Sequence, residues 1–140
     1  REVHLGVAVA LEGDLIVPVI RNADEKSLTR ISRELKDLSR RARENALAPE
    51  EISGGTFTLT NLGGYRSTEV FTPVINQPES AILGVGRTND MPVAVDGEVA
   101  VRPMTALSLA HDHRVIDGAP AAEFLALLIE MIEHPFRVFI

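Results

Sequence analysis

Eight residues, His111-Asp112-His113-Arg114-Val115-Ile116-Asp117-Gly118, form the densest polar cluster of the sequence. They stand where an apolar run ends and an apolar helix is expected to begin, a position from which side chains can be presented at the mouth of a site. Three readings fit the spacing. His113 could be a general base, because a free imidazole titrates near pH ~6.5 and can take up and return a proton at neutral pH. Asp117, immediately before Gly118, would then cap the following helix through its N–H groups and help hold the turn. Alternatively, His111, His113 and Asp117 could ligate a metal, since two histidines two residues apart on a strand plus a carboxylate make an acceptable donor set. His4 and His134, at opposite ends of the chain, offer no obvious further ligand. In the third reading Asp117 is only a cap and the histidines are surface residues. Strand alternation would put His111 and His113 on one face and Asp112 on the other.

Phosphate-binding signals are weak by comparison. Gly84-Val85-Gly86 lacks the third glycine of a dinucleotide fingerprint, and Gly54-Gly55 lacks the Lys-Ser/Thr of a P-loop. Arg40, Arg41 and Arg43 could grip a phosphate, but they crowd the end of an expected helix and suit its dipole equally well.

The elements that must position the cluster follow from periodicity. Val3 to Leu11 and Leu15 to Ile20 read as two strands joined by a turn at Glu12-Gly13-Asp14, with Pro18 at an edge or bulge. Leu28, Ile31, Leu35, Leu38 and Ala42 recur at helical spacing, which predicts an amphipathic helix from Ser27 of about five turns. Pro49-Glu50-Glu51 predicts a short helical turn, Gly54-Gly55 a break, and Thr56 to Thr60 a strand. Asn61 to Ser67 reads as a loop, followed by apolar runs at Val70 to Ile75 and Ser80 to Gly86. A meander through Val93 to Val95 and Val99 to Val101 turns at Asp96-Gly97, and Met104 to Ala110 is a further run. Ala119 to Ile132 is apolar around most of its circumference, so that helix is expected in a core or against other subunits.

The chain has 140 residues, 45% hydrophobic and 24% charged, which describes one soluble domain with a real core. It has no cysteine, so neither disulfides nor thiolate metal sites support it. A net charge of -6 argues against a nucleic-acid or anionic-membrane partner, and no apolar run reaches the roughly 20 residues that span a bilayer. A chain that opens on Arg1, with its first methionine at position 91, reads as an excised piece or a processed product.

Asp112-His113-Arg114-Val115-Ile116-Asp117-Gly118 resembles the DHRxxDG signature of the acyltransferase component of 2-oxo acid dehydrogenase complexes, and contains the HxxxDG motif shared with chloramphenicol acetyltransferase. The resemblance extends over nearly the whole chain. Gly6-Val7-Ala8-Val9, Leu15 to Ala23, Lys26-Ser27-Leu28, Gly54 to Gly63, Pro73-Val74-Ile75-Asn76 and Ala81 to Gly86 follow in the family's order. The fold implied is α/β, a chloramphenicol acetyltransferase-like mixed sheet with helices packed on one side. Residues 1–140 would be the C-terminal portion of a single catalytic domain whose upstream part is absent.

The activity implied is dihydrolipoamide acyltransferase: an acyl group moves between the dihydrolipoyl arm of a lipoyl domain and coenzyme A. Acetyl, succinyl and branched-chain groups all stay open. By resemblance His113 is the base that deprotonates a thiol, Thr60 is the oxyanion-stabilising hydroxyl, and Asp117 holds the turn and the histidine's setting. No residue is assigned to cofactor binding and no metal is implied. The partners implied are a homotrimer assembling into a larger hollow core, a lipoyl domain and the dehydrogenase components. His113 and Thr60 would meet across a subunit boundary, and Phe136, Val138, Phe139 and Ile140 would form a contact between trimers. The location implied is a bacterial cytoplasm or a mitochondrial matrix. Two departures stand out: Asn61 to Asn76 is about one residue longer than the family pattern, with Tyr65-Arg66-Ser67 where glycine is common, and His111 replaces an aromatic residue. The first could alter the acyl pocket. Two rival functions are a catalytically incomplete structural core fragment and a metal-dependent hydrolase using His111, His113 and Asp117.

Overall fold

The computed structural model describes residues 2–136. A period-2 apolar pattern broken at Ala8 gives two short strands where the sequence suggested one, β1 (Leu5–Val7) and β2 (Val9–Leu11). The turn at Gly13, where φ is +77°, leads into β3 (Asp14–Ile16), which pairs with β2 as a separate two-stranded ribbon. β4 (Val19–Ile20) then returns to β1. Pro18 sits just before β4 at the sheet edge, where the missing N–H costs no ladder bond.

Ser27 caps α1 (Leu28–Arg43): its hydroxyl accepts from the Arg30 N–H at 3.3 Å. The helix buries Leu38 and Ala42 and packs against β2 and β4, whereas Leu28, expected on the apolar face, is 77% exposed in the first turn. At the other end the arginines are engaged by carboxylates. Arg40 binds Asp37 and Glu44, and Arg41 binds Asp37 and, through two nitrogens, Glu51 of the short 3-10 turn at Pro49–Ile52.

β5 (Phe57–Asn61) lies parallel to β1 and to β6 (Ala81–Val95), and β6 runs antiparallel to β7 (Glu98–His111). The five-stranded sheet has the order β4-β1-β5-β6-β7. β6 and β7 are long and continuous where the sequence suggested four short runs. Pro92 and Pro103 interrupt the sequence pattern, yet each sits in the ladder, opposite Val101 and Asp90, in the part of the hairpin that projects beyond β5. There both strands are edges, which is where proline is tolerated. Asp96-Gly97 makes the expected turn, with both residues at positive φ. Val70 to Ile75 forms no strand.

α2 (Gly118–Glu133) packs against β7, and Phe124 reaches the Phe57 ring with centroids 5.9 Å apart. α1 and α2 thus lie towards opposite ends of the mixed sheet. Ala121 is the buried residue of α2. Phe124, Leu127, Met131 and Ile132 are 41–59% exposed, so the helix is not the core helix that its composition allowed. Among the described residues no helix is long and apolar enough to cross a membrane. Phe136 is 84% exposed, and Val138, Phe139 and Ile140 lie outside the described residues.

Candidate active site

β7 ends at His111, and the next six residues turn back into α2. His113 therefore lies on a turn, not on the strand, and the alternation expected for the two histidines does not apply. Their rings nonetheless meet, with centroids 5.7 Å apart. Asp112 builds the turn. Its N–H donates to the Ser80 carbonyl at 2.8 Å, its own carbonyl accepts from Val115 and Ile116, and its carboxylate accepts the Arg114 backbone N–H at 3.0 Å. The Arg114 side chain closes on the same carboxylate through Nε and a terminal nitrogen, at 2.9 and 2.6 Å. The guanidinium, helped by the backbone N–H, holds the Asp112 carboxyl down at about 2.

On this turn the His113 side chain is 74% exposed, and its Nδ1 lies 3.9 Å from Asp117 Oδ1. That distance is too long for a hydrogen bond. Asp117 occupies the N-cap position of α2, as expected, but its carboxylate accepts no cap bond from the helix. The work of holding the turn falls to Asp112 and Arg114. An Asp whose side chain bonds the backbone two residues on is a recognised turn device, and Asp112 before Arg114 was the available sequence signal.

Thr60 belongs to another neighbourhood. It sits on β5 opposite Gly84, on the same face as Thr58, and lines a cavity of about 380 Å³ with Val17, Phe71, Val74 and Ile82. His113 lines an open recess of about 770 Å³ with Gln77, Glu79 and Arg114. Pro73, Val74 and Ile75 border both spaces. The chain thus brings His113 and Asp117 together and places Thr60 behind a wall from them. That wall, residues 71–76, is the second half of the Asn61 to Asn76 segment expected to bear on the acyl pocket, and the sequence shows it only as an apolar run. It lies against β6 where there is no side chain to hold it off: a Cβ at Gly84 would lie 2.9 Å from Phe71 Cζ. Tyr65-Arg66-Ser67 is not part of the cavity lining. That loop is fastened to β6, with Arg87 donating to the Arg66 carbonyl at 2.8 Å and to the Thr68 carbonyl at 2.9 Å.

Among the described residues no group of three or more His, Asp or Glu side chains could hold a metal ion, His111, His113 and Asp117 included. His111 lies between the His113 recess and the apolar space under α2 lined by Phe57, Leu109 and Phe124, and its Nε2 is buried without a hydrogen-bond partner. It occupies an apolar environment, as an aromatic residue would.

Against known families, residues 1–140 match the model of the 2-oxoacid dehydrogenases acyltransferase catalytic domain. The chain belongs to this family. It is 46% identical over 95% of its length to the dihydrolipoyllysine-residue acetyltransferase component of the acetoin cleaving system of Bacillus subtilis, and 44% identical over 97% to the succinyltransferase component of the 2-oxoglutarate dehydrogenase complex of Bartonella vinsonii. It spans 33% of the length of each. In structure it superposes on the dihydrolipoamide acetyltransferase of Azotobacter vinelandii with a TM-score of 0.94 at 40% identity, covering all of this chain and 57% of that one. The cubic core of a pyruvate dehydrogenase multienzyme complex gives 0.93 at 41% identity, with the same coverage. The α/β fold with a mixed sheet is therefore that of acyltransferase cores.

Proposed function

We propose that the protein of which this chain is part transfers an acyl group between a dihydrolipoyl thiol and coenzyme A, with His113 as base and Thr60 as oxyanion donor. The observation that carries this reading is order and spacing. In the Azotobacter vinelandii acetyltransferase the residues tied to the catalytic mechanism are a serine, a histidine fifty-two positions after it and an asparagine four positions beyond that. Here Thr60, His113 and Asp117 stand in the same order, fifty-three and four positions apart. The extra residue agrees with a longer segment between Asn61 and Asn76.

The chemistry follows from what each side chain offers. A thiol with a reference pKa of about 8.5 is mostly protonated at neutral pH, so a nearby imidazole that removes its proton raises the supply of thiolate. The His113 ring is exposed enough for a thiol to approach, and the Asp112–Arg114 pair fixes the turn beneath it. The thiolate attacks the thioester carbonyl, and the carbonyl oxygen becomes an oxyanion that the Thr60 hydroxyl stabilises by donating its hydrogen. Collapse of the tetrahedral species breaks the original carbon–sulfur bond. The departing thiolate then takes the proton back from His113. Asp117 lies beside His113 at the position of that asparagine, so its contribution there is one of position and not of charge.

Thr60 and His113 border different spaces within one chain, which supports a site completed by a second copy, as in a trimer. The larger assembly proposed is a core that docks lipoyl domains and the dehydrogenase components. We assign residues 1–140 to the C-terminal portion of one catalytic domain, a reading supported by the 57% coverage of the solved chains. The test is acyl transfer from an acyl-CoA to dihydrolipoamide by the complete protein. His113→Ala is expected to lower turnover by at least ~10²-fold, the scale of losing a general base. Normal turnover in the assembled variant would remove His113 from the mechanism.

A further inference from the structure

The wall that divides the Thr60 cavity from the His113 recess ends at a carboxylate seated in the sheet. Glu79 Oε2 accepts the Thr58 hydroxyl at 2.6 Å, and Oε1 accepts the Asn76 side-chain amide at 3.3 Å. Thr58 is 1% exposed, so its hydroxyl has no access to water and needs this partner. Two glycines make room for the pair. A Cβ at Gly6 would come within 2.8 Å of Thr58 Oγ1, and one at Gly55 would collide with Glu79 Oε1. Thr58 lies two residues before Thr60 on the same face of β5, while Glu79 borders the recess that holds His113.

We infer that Glu79 is a positioning residue for acyl transfer: seated over Gly6 and Gly55 and bonded to Thr58, it fixes the wall of residues 71–79 relative to Thr60 on one side and His113 on the other. The inference rests on the acyl-transfer reading and deepens it. Glu79 does not itself move a proton, since both of its oxygens accept hydrogen bonds from the sheet and the wall. It acts through the Pro73–Ile75 stretch, whose displacement would misplace an acyl thioester against the Thr60 hydroxyl. A misplacement of about 1 Å costs on the order of 10²-fold in rate.

The experiment measures kcat and KM for both thiol substrates in the complete, assembled protein, for Glu79→Ala, Glu79→Gln, Thr58→Val and the double variant Thr58→Val/Glu79→Ala, with His113→Ala alongside. Glu79→Ala and Thr58→Val should each lower kcat by ~10- to 100-fold. The double variant should be no worse than the poorer single one, because both remove the same bond. Glu79→Gln should stay within about threefold of the unsubstituted protein, since its amide oxygen still accepts the Thr58 hydrogen and its NH2 can donate to the Asn76 side-chain oxygen once that exposed amide turns over. A merely structural role would not show this pairing of non-additivity in kcat with rescue by glutamine. If Glu79→Ala fails to assemble, Thr58→Val decides, and an unchanged kcat there overturns the proposal. Losses that multiply, or a glutamine variant as poor as alanine, overturn it too. Normal turnover in Glu79→Ala beside an inactive His113→Ala overturns the positioning role alone. Normal turnover in His113→Ala removes His113 from the mechanism, whereas no acyl transfer by the unsubstituted protein overturns the acyl-transfer reading and this role with it.

Discussion

The base proposed at His113 is useful only if its ring is held where a thiol can reach it, and the turn that carries the ring is held by its neighbours in sequence. The Asp112 carboxylate is clamped by Arg114 and lies at about 2, against an ordinary 3.8. A carboxyl depressed in the fold contributes its stabilisation above the unfolded value and loses it as pH falls through the folded one. The turn should therefore keep its form down to about pH 4 and loosen between 3.8 and about 2. A carboxyl NMR titration of Asp112 checks this, and a midpoint at the ordinary value would show that the clamp does not form in solution. Asp117 is the contrasting case. With no cap bond and a side chain 85% exposed, Asp117→Ala should leave the thermal unfolding midpoint unchanged while lowering turnover. A lower midpoint would restore a capping role. His113, Thr60 and Asp117 are named from the motif and its order in the sequence, and they stand as proposed site residues on that ground. The division of labour between Asp112 and Asp117 was not legible there, since both stand at turn positions and only the closure of Arg114 on one of them separates the two.

Elements read well from the sequence where one face is buried and one is wet, and poorly where that contrast is missing. α1 shows the first situation, with its cap at Ser27 and its period ending in Leu38 and Ala42. β6 and β7 show the second: their outer halves form a ribbon with exposed residues such as Val99 and Val101, so no strict alternation marks them, and prolines break the pattern further. The wall at 71–76 misled for a related reason, because its apolar residues serve a cavity and not a ladder. The 3-10 turn at Pro49–Ile52 is held to α1 by charge. Glu51 takes the Arg41 guanidinium on both oxygens, at 2.7 and 2.6 Å, and the Ala48 N–H at 3.0 Å. Its carboxyl is thereby lowered from 4.5 to about 2. In that window the unfolded chain binds more protons than the folded one, so stability rises with pH from about 2 to 4.5. Glu51→Gln should flatten that rise. Chemical denaturation of the complete protein at pH 3, 4 and 6 is the measurement, and an undiminished slope in the variant would assign it to other carboxylates.

At the scale of the whole molecule, two features point to more protein than these residues. α2 exposes the large apolar side chains of Phe124, Leu127, Met131 and Ile132 along its length. Thr60 and His113 border separate spaces, so one copy does not bring the two residues proposed to react around one substrate. The solved relatives, of which this chain spans 57%, are long enough to cover such a face and to wall such spaces. The reacting side chains can thus be present in the 140-residue chain while the surfaces that orient the thioester are not. Orientation accounts for ~7 kcal/mol or more of catalysis in well-positioned reactions, which is enough to erase turnover when it is lost. The isolated chain is therefore expected to associate with itself through α2 and to transfer acyl groups from acyl-CoA to dihydrolipoamide at a rate lower by several orders of magnitude than the complete protein. Sedimentation gives the first quantity and a thiol-coupled assay the second. Equal rates for the two proteins would mean that residues 1–140 already carry the whole site, and that the exposed face of α2 has no bearing on catalysis.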